Sequence, residues 1–460
     1  MAACAVSSAA SARLRDGDIL VADSQTIFLV DPATGDRAIL SSRDVGNGPA
    51  FVHLAAVLIE SRDSILAVDG FGRTLYRIEL ATGDRSVVSS NSVGTGSIEY
   101  FWPRAIAREA DDALLVADYG RAVLFRVDPA TGDRSVISSR DVGSGTPLAG
   151  PNSLTLDRSG SVLLADARLF ALFRVDPLTG NRDVISSGEV GAGPPLWHTR
   201  GIAESASGRL ITIGGQWSTS YLPHLMSVNP ATGDREILSS LDRGAGSRFA
   251  GPEDLTIDSN GDILVADAAW RAIFRVDPTT GDRELLSTSD VLGVVGAGPG
   301  FADLRTIAVA SFRFPVGIDI RPRNPANRIN LSSQGVVRVA LLGTADFEVA
   351  EVEAETLAFG PAGATLANRR GPHFEDVNED GFTDLVGHFR VQEAGIALGD
   401  GEACLVGETS DESRFEGCDA IWTLGPCGIG FELAVLPLPL IWLRRRRAGA
   451  RRPIDRRGMR

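Results

Sequence analysis

Nine consecutive residues, Asp376-Val377-Asn378-Glu379-Asp380-Gly381-Phe382-Thr383-Asp384, put side-chain oxygens at loop positions 1, 3, 5 and 9. A backbone carbonyl falls at position 7 (Phe382) and a glycine at position 6. Hard oxygens at that rhythm suit Ca²⁺, and the glycine permits the sharp turn between them. We therefore expect a structural calcium site at Asp376, Asn378, Asp380, Phe382 and Asp384. Position 12, where a bidentate glutamate would complete the shell, is Gly387, and residues 385–390 read as a strand. The missing ligand is then expected from Glu375 or Asp346; the alternative is an Asx-rich turn without metal. Four cysteines stand at 4, 404, 418 and 427, with no Cys-x-x-Cys spacing. Cys404 and Cys418 share one acidic, turn-rich stretch, and a bond between them would constrain the unfolded chain by about 3 kcal/mol. That pairing implies an oxidising compartment.

What must hold these groups is a repeat. The phrase Val30-Asp31-Pro32-Ala33-Thr34-Gly35-Asp36-Arg37 returns five more times, with central glycines at 35, 83, 132, 180, 233 and 281. Each copy reads as a hairpin turn: Pro sets the first dihedral, Asp caps the turn amides, and Gly takes the left-handed closing position. Between turns lie four short strand-like runs, as at 153–156, 162–166, 171–175 and 183–185. Four such strands in each period of under fifty residues indicate propeller blades. The first period opens at a second strand (residues 17–23), and a lone first strand (residues 301–310) comes after the sixth. The two should pair, closing a six-bladed β-propeller over 13–312 and removing open sheet edges.

Composition agrees with many short strands joined by turns: 43% hydrophobic, only 6% aromatic, 51 Gly and 23 Pro. All 45 basic residues are Arg. The formal charge is −14, yet residues 444–460 carry nine Arg and one Asp, leaving −22 on 1–443. A body this acidic repels phosphate backbones, so nucleic acid is not expected as a partner.

The stretch 251–267 (Gly-Pro-Glu-Asp-Leu-Thr-Ile-Asp-Ser-Asn-Gly-Asp-Ile-Leu-Val-Ala-Asp) resembles an NHL repeat and blades of the SMP-30/gluconolactonase superfamily. An aspartate ends most second strands (Asp23, Asp69, Asp118, Asp166, Asp267, with Gly214 in the fifth) and reads as a turn cap. Fourteen residues earlier, at the expected channel mouth, stand Ala55, Arg104, Asn152, Arg200 and Glu253, with Arg305 from the closing strand. The gluconolactonase resemblance implies metal ligands at this ring, and Asn152 and Glu253 suit that in type. Three Arg do not, because guanidinium stays charged and cannot ligate a metal. They suit an oxyanion instead, which guanidinium forks bind bidentately; the alternative is pairing with Glu253 and Asp254. His53, His198 and His224 fall in loops of the same face, as three zinc ligands of a lyase-like propeller would. Their spacing matches no histidine motif, so no zinc centre is expected. Trp102, Trp197, Phe249 and Phe301 are expected to pack between blades. The fifth blade lengthens its second-to-third loop over 214–224 and adds Trp217 and Tyr221.

Residues 313–424 lose the period and read as a smaller β-sandwich-like domain, whose loop at 376–384 resembles dockerin and FG-GAP calcium loops. Residues 425–460 combine Cys427, an apolar run and four consecutive Arg, which resembles a PEP-CTERM or MYXO-CTERM sorting tail with processing near Cys427. Residues 1–12 resemble the end of a secretory signal peptide. The expectation is an all-β protein: a bacterial, exported, surface-anchored, monomeric binding module for an anionic glycan, carboxylate or protein, anchored to the membrane by its tail. A metal-dependent lactonase- or lyase-like enzyme is the alternative, and a purely structural surface protein the second.

Overall fold

The computed structural model describes residues 13–424, except 218–220, 290–291, 313, 323, 325, 345–346, 368–370 and 411–413. The leader, the tail with Cys427, and Asp346 lie outside the described residues. The chain divides into two compact units, Met1–Phe312 and Arg313–Arg460.

The first unit is built from six four-stranded antiparallel sheets. Second strands such as Ser64–Asp69 and Val162–Asp166 are buried at every residue. That is why these runs read as continuous Val, Ile, Leu and Ala rather than as an alternation. The strand Thr306–Val309 pairs with Ile19–Ala22, setting Val309 opposite Ile19 and Thr306 opposite Ala22. The last strand of the unit thus completes the first blade and lies between the inner strands Pro252–Ile257 and Leu54–Ile59. The six-bladed, strand-closed architecture is the one the repeat requires.

The repeated phrase does more than turn the chain. Its arginine, at 37, 85, 134, 182, 235 and 283, is buried in every blade. In the second blade Arg85 donates to the carbonyls of Ser42, Val45 and Pro49 at 2.8–2.9 Å and to Ser41 Oγ at 2.8 Å, all in the preceding blade and its outgoing connection. Ser41 Oγ in turn donates to the Gly83 carbonyl at 2.7 Å. The phrase's second aspartate accepts from the same connection, as Asp84 does from the Asn47 amide at 2.6 Å. Arg37 repeats the pattern across the closure, reaching Ser287 Oγ at 2.8 Å, Val295 O at 2.9 Å and Pro299 O at 2.8 Å. Each phrase is therefore a latch onto the blade before it. The first half of each connection runs down to the next turn, and glycine is required there: a Cβ on Gly46 would sit 1.8 Å from the Gly83 carbonyl oxygen.

The packing between blades also differs from expectation. Phe249 and Phe301 are buried as anticipated, edge-on to Phe274 and Phe28. Their counterparts are Phe51, Tyr100, Leu148 and Leu196, all buried. Trp102 and Trp197 fall outside that register and are half-buried. The latch arginines lie over four of these plugs, with Arg134 4.8 Å from the Tyr100 ring centre. In the fifth blade the extra residues extend strands rather than a loop, giving Leu210–Trp217 and Tyr221–Val228 with Trp217 opposite Tyr221.

The second unit has two four-stranded sheets. One orders Phe314–Pro315, Arg414–Ala420, Glu402–Thr409 and Val352–Phe359; the other orders Ile318–Ile320, Val336–Leu341, Asp384–Arg390 and His373–Glu375. Val339, Leu341 and Phe389 from one sheet share a core with Leu357, Phe359, Leu405 and Phe415 from the other. Cys404 lies opposite Cys418 on adjacent strands, and the two are disulfide-bonded.

Candidate functional site

The mouth residues owe their placement to a backbone irregularity. In four blades the pairing of first and second strands skips one residue, and the skipped residues are Ala55, Arg104, Asn152 and Glu253. A bulged residue is freed from the ladder and its side chain is re-aimed, a device common beside binding sites. In the fifth blade the skip falls one residue later, on Gly201, which has φ +54°. All six ring positions are half-buried.

The second-strand aspartates behave as turn caps. Asp69 accepts from the amides of Val52, His53 and Gly72 at 2.6–3.0 Å, and Asp118, Asp166 and Asp267 repeat this. They tie the second half of each incoming connection to the rim and are not free to act on a ligand.

Within the ring, charges sort unevenly. Glu253 forms an ion pair with Arg200 and lies 3.8 Å from Arg305, which also binds Asp303. Asp254 takes no Arg. It accepts instead from Thr306 Oγ1 at 2.9 Å, the Ile307 amide at 3.2 Å and the Leu255 amide at 2.9 Å. Arg104 has no carboxylate partner among the described residues. Its Nε is buried without a hydrogen-bond partner, and its guanidinium lies 5.4 Å from the Trp102 ring centre. Burial pulls its pKa below the ordinary arginine value, with Arg200 and Arg305 adding to the effect and Glu253 opposing it.

An aromatic wall, missed in the sequence, runs beside Arg104. His53 stacks on Phe71 at 4.6 Å, Phe71 meets Trp102 at 5.4 Å, and Trp102 meets Tyr119 edge-on at 5.1 Å. Arg168 lies 4.4 Å from the Tyr119 ring centre. Phe71 is 55% exposed and neighbouring Phe101 49%, so two adjacent blades present aromatic surface to solvent. The available signal was an aromatic one or two residues after a second-strand aspartate (Phe71, Tyr119), where sibling blades carry Ser, Gln, Ala, Gly or Arg.

The histidines do not converge on a metal. His53 belongs to the wall, and burial, then Arg305 and Arg104, lower its pKa. His198 meets Phe170 at 5.9 Å. His224 is buried, with Nε2 unpartnered. Among the described residues the one cluster of three metal-ligating side chains is Cys404, Glu416 and Cys418, whose sulfurs are consumed by the disulfide. Glu253, held by arginine, does not fit the metal shell that the gluconolactonase resemblance implies.

At the expected calcium loop, Asp376 accepts from the amides of Asp380 and Gly381, and Asn378 Nδ2 donates to Asp380 at 2.8 Å. These three side chains sit together at the exposed tip, with exposed Phe382 beside them. Asp384 turns inward: it is fully buried and accepts from the Gly343 amide at 2.9 Å and the Val377 amide at 2.8 Å. Glu375 is paired with Arg338. As placed, these residues do not complete a calcium shell.

Asp254 sets a pH dependence. Its carboxyl end is buried although the residue as a whole is half-buried, and burial pushes its pKa up to about 6. The folded state then holds the proton more tightly than the unfolded chain. The cost of charging Asp254 is absent below about pH 4, accumulates between pH 4 and 6, and is complete above. It amounts to about 3 kcal/mol at 1.36 kcal/mol per pH unit. The stability difference between Asp254→Asn and the parent, from denaturant unfolding, should therefore shift in favour of Asn by about that amount from pH 3.5 to 7. A difference that stays flat with pH would show the carboxyl to be unshifted.

No protein-family model matches the chain, and no curated protein does. Solved structures to which it is similar include a chain of a nidogen/laminin complex, 13% identical, covering 63% of this chain and 97% of that one, TM-score 0.46. A protein of unknown function from Bacteroides caccae is 13% identical, covering 64% and 98%, TM-score 0.42. A putative gluconolactonase is 17% identical, covering 52% and 76%, TM-score 0.37. None of these likenesses bears on activity.

Proposed function

We propose that the propeller is a binding module that takes an anionic ligand at its channel mouth, with Arg104 as the anchoring cation. The observation that carries this reading is the contrast among the three ring arginines. Arg200 and Arg305 are neutralised by Glu253 and Asp303, whereas Arg104 has neither a carboxylate nor a hydrogen-bond partner for its buried Nε. A charge in that state gains from an incoming oxyanion. The wall of Phe71, Trp102 and Tyr119 offers flat faces to a ring-shaped body carrying that oxyanion. Asn152, on the same ring of bulges, supplies a neutral hydrogen-bonding group.

A panel of uronates, sulfated sugars and aromatic carboxylates, titrated calorimetrically onto the full chain at two salt concentrations, tests the proposal. Binding should weaken with salt and fall at least tenfold in Arg104→Met, which keeps the side-chain volume. Arg200→Ala should cost less, since that guanidinium is already paired. Unchanged affinity in Arg104→Met would remove Arg104 from the site. We also propose that the chain is exported, supported by the bonded Cys404–Cys418 pair and by the arginine cluster of the sequence beyond residue 443.

A further inference from the structure

Residues 313–424 are acidic as a whole, with nineteen Asp and Glu against nine Arg. Four of those nine, Arg321, Arg323, Arg328 and Arg338, stand in one eighteen-residue stretch that contains no carboxylate. Described residues of this stretch, Arg321, Arg328 and Arg338 with Asn324, Asn330 and Ser333, line a cleft of about 540 Å³. That volume lies inside the range of small-ligand sites, about 300–1,000 Å³. Arg323 lies outside the described residues.

The cations of the cleft are poorly neutralised. Glu375 pairs with Arg338, but the Arg338 Nε is buried with no hydrogen-bond partner. The Arg328 guanidinium has no ion pair or hydrogen bond among the described residues. Arg321 donates to the Arg328 backbone carbonyl, a contact that neutralises neither cation. Of the three guanidiniums only Arg338 meets carboxylates, Glu375 by an ion pair and Asp319 through its field, so positive charge is in excess here although residues 313–424 total −10.

The backbone is held in costly conformations to present them. Arg321 has φ +60° and Asn327 φ +40°, both left-handed in residues with a Cβ. Asn327 is fixed there by its side-chain amide, which donates to Asp419 at 2.7 Å and to the Ala420 carbonyl at 2.9 Å. Beneath, Ile329 and Val337 are buried in the sandwich core, so the rim stands on a packed floor. Strain that persists because its surroundings over-determine it is concentrated where a chain clamps ligands.

We propose that this cleft is an oxyanion-binding site for an acidic sugar residue. Guanidinium forks match a carboxylate or sulfate, and Asn324, Asn330 and Ser333 offer the mixed donors and acceptors that ring hydroxyls require. The site is separate from the propeller mouth and does not depend on Arg104.

The test uses the full chain carrying Arg104→Met, so that the mouth does not contribute. Galacturonate, inorganic sulfate and neutral galactose are titrated separately by calorimetry, then repeated with Arg328→Ala and Arg328→Glu added. Galacturonate should bind saturably, weaken roughly ten- to hundredfold in Arg328→Ala and vanish in Arg328→Glu, while galactose gives no heat. Arg328 is exposed, and unchanged circular dichroism and melting would show that both variants fold. Equal binding of galactose, binding of sulfate without galacturonate, or galacturonate affinity indifferent to both substitutions would overturn the proposal.

Discussion

Arg182→Ala should lower the stability of the propeller by roughly 3–5 kcal/mol, because several buried acceptors lose their donor at once. Arg182 is 3% exposed. Its guanidinium donates to Ser138 Oγ at 2.5 Å, Val142 O at 2.8 Å and Thr146 O at 2.9 Å, with longer contacts to Gly143 and Gly145. These acceptors belong to the preceding blade and its outgoing connection, so the loss is felt as separation of two blades. Removing the guanidinium leaves several carbonyls of a tight loop without donors, and each buried unmade bond costs about 1–3 kcal/mol. Arg182→Lys should recover only part, because one ammonium cannot span acceptors spread around a planar fork. Thermal and denaturant unfolding measure this. A loss under about 1 kcal/mol in Arg182→Ala would mean that the latch is decorative.

Ala308→Pro should open the ring. Ala308 sits mid-strand opposite Leu20, in the strand that joins the two ends of the propeller. Proline removes an amide from the ladder and is confined to edges and strand starts elsewhere in sheets. The expected loss is on the order of 3–4 kcal/mol, with protease cleavage in the first blade and concentration-dependent aggregation through the exposed edge. Ala308→Gly keeps the amide and should cost only about 1 kcal/mol. Equal stability of the proline and glycine variants would show that closure does not depend on this strand.

Much of this fold is legible in the chain itself. Turn phrases at a fixed period set the blade count, and the orphan strand at 301–310 sets the closure, because both are backbone requirements written locally. The latch is not legible in the same way, since Arg at a turn looks like a solvated charge. Its signal is a second periodic polar group: Ser41, Ser89, Ser138, Ser186, Ser239 and Ser287 recur four residues after the arginines at 37, 85, 134, 182, 235 and 283, and are buried with them. Polar residues that return every period and stay inside must be meeting one another. The bulges at the mouth are equally hidden, because pairing register depends on the neighbouring strand; Pro103, Pro151 and Pro252 just before them are the only local hint. Asp384 reads as a surface ligand because rhythm alone cannot tell a loop's last residue from the first residue of a buried strand.

The ring's entry and exit occupy one spot: the Gly17 amide donates to the Ala310 carbonyl at 2.9 Å. A chain that leaves where it arrived can be spliced into a longer polypeptide with little disturbance to either side. The disc is in this sense a cassette, able to be inserted, duplicated or re-opened at another blade boundary while keeping its mouth intact.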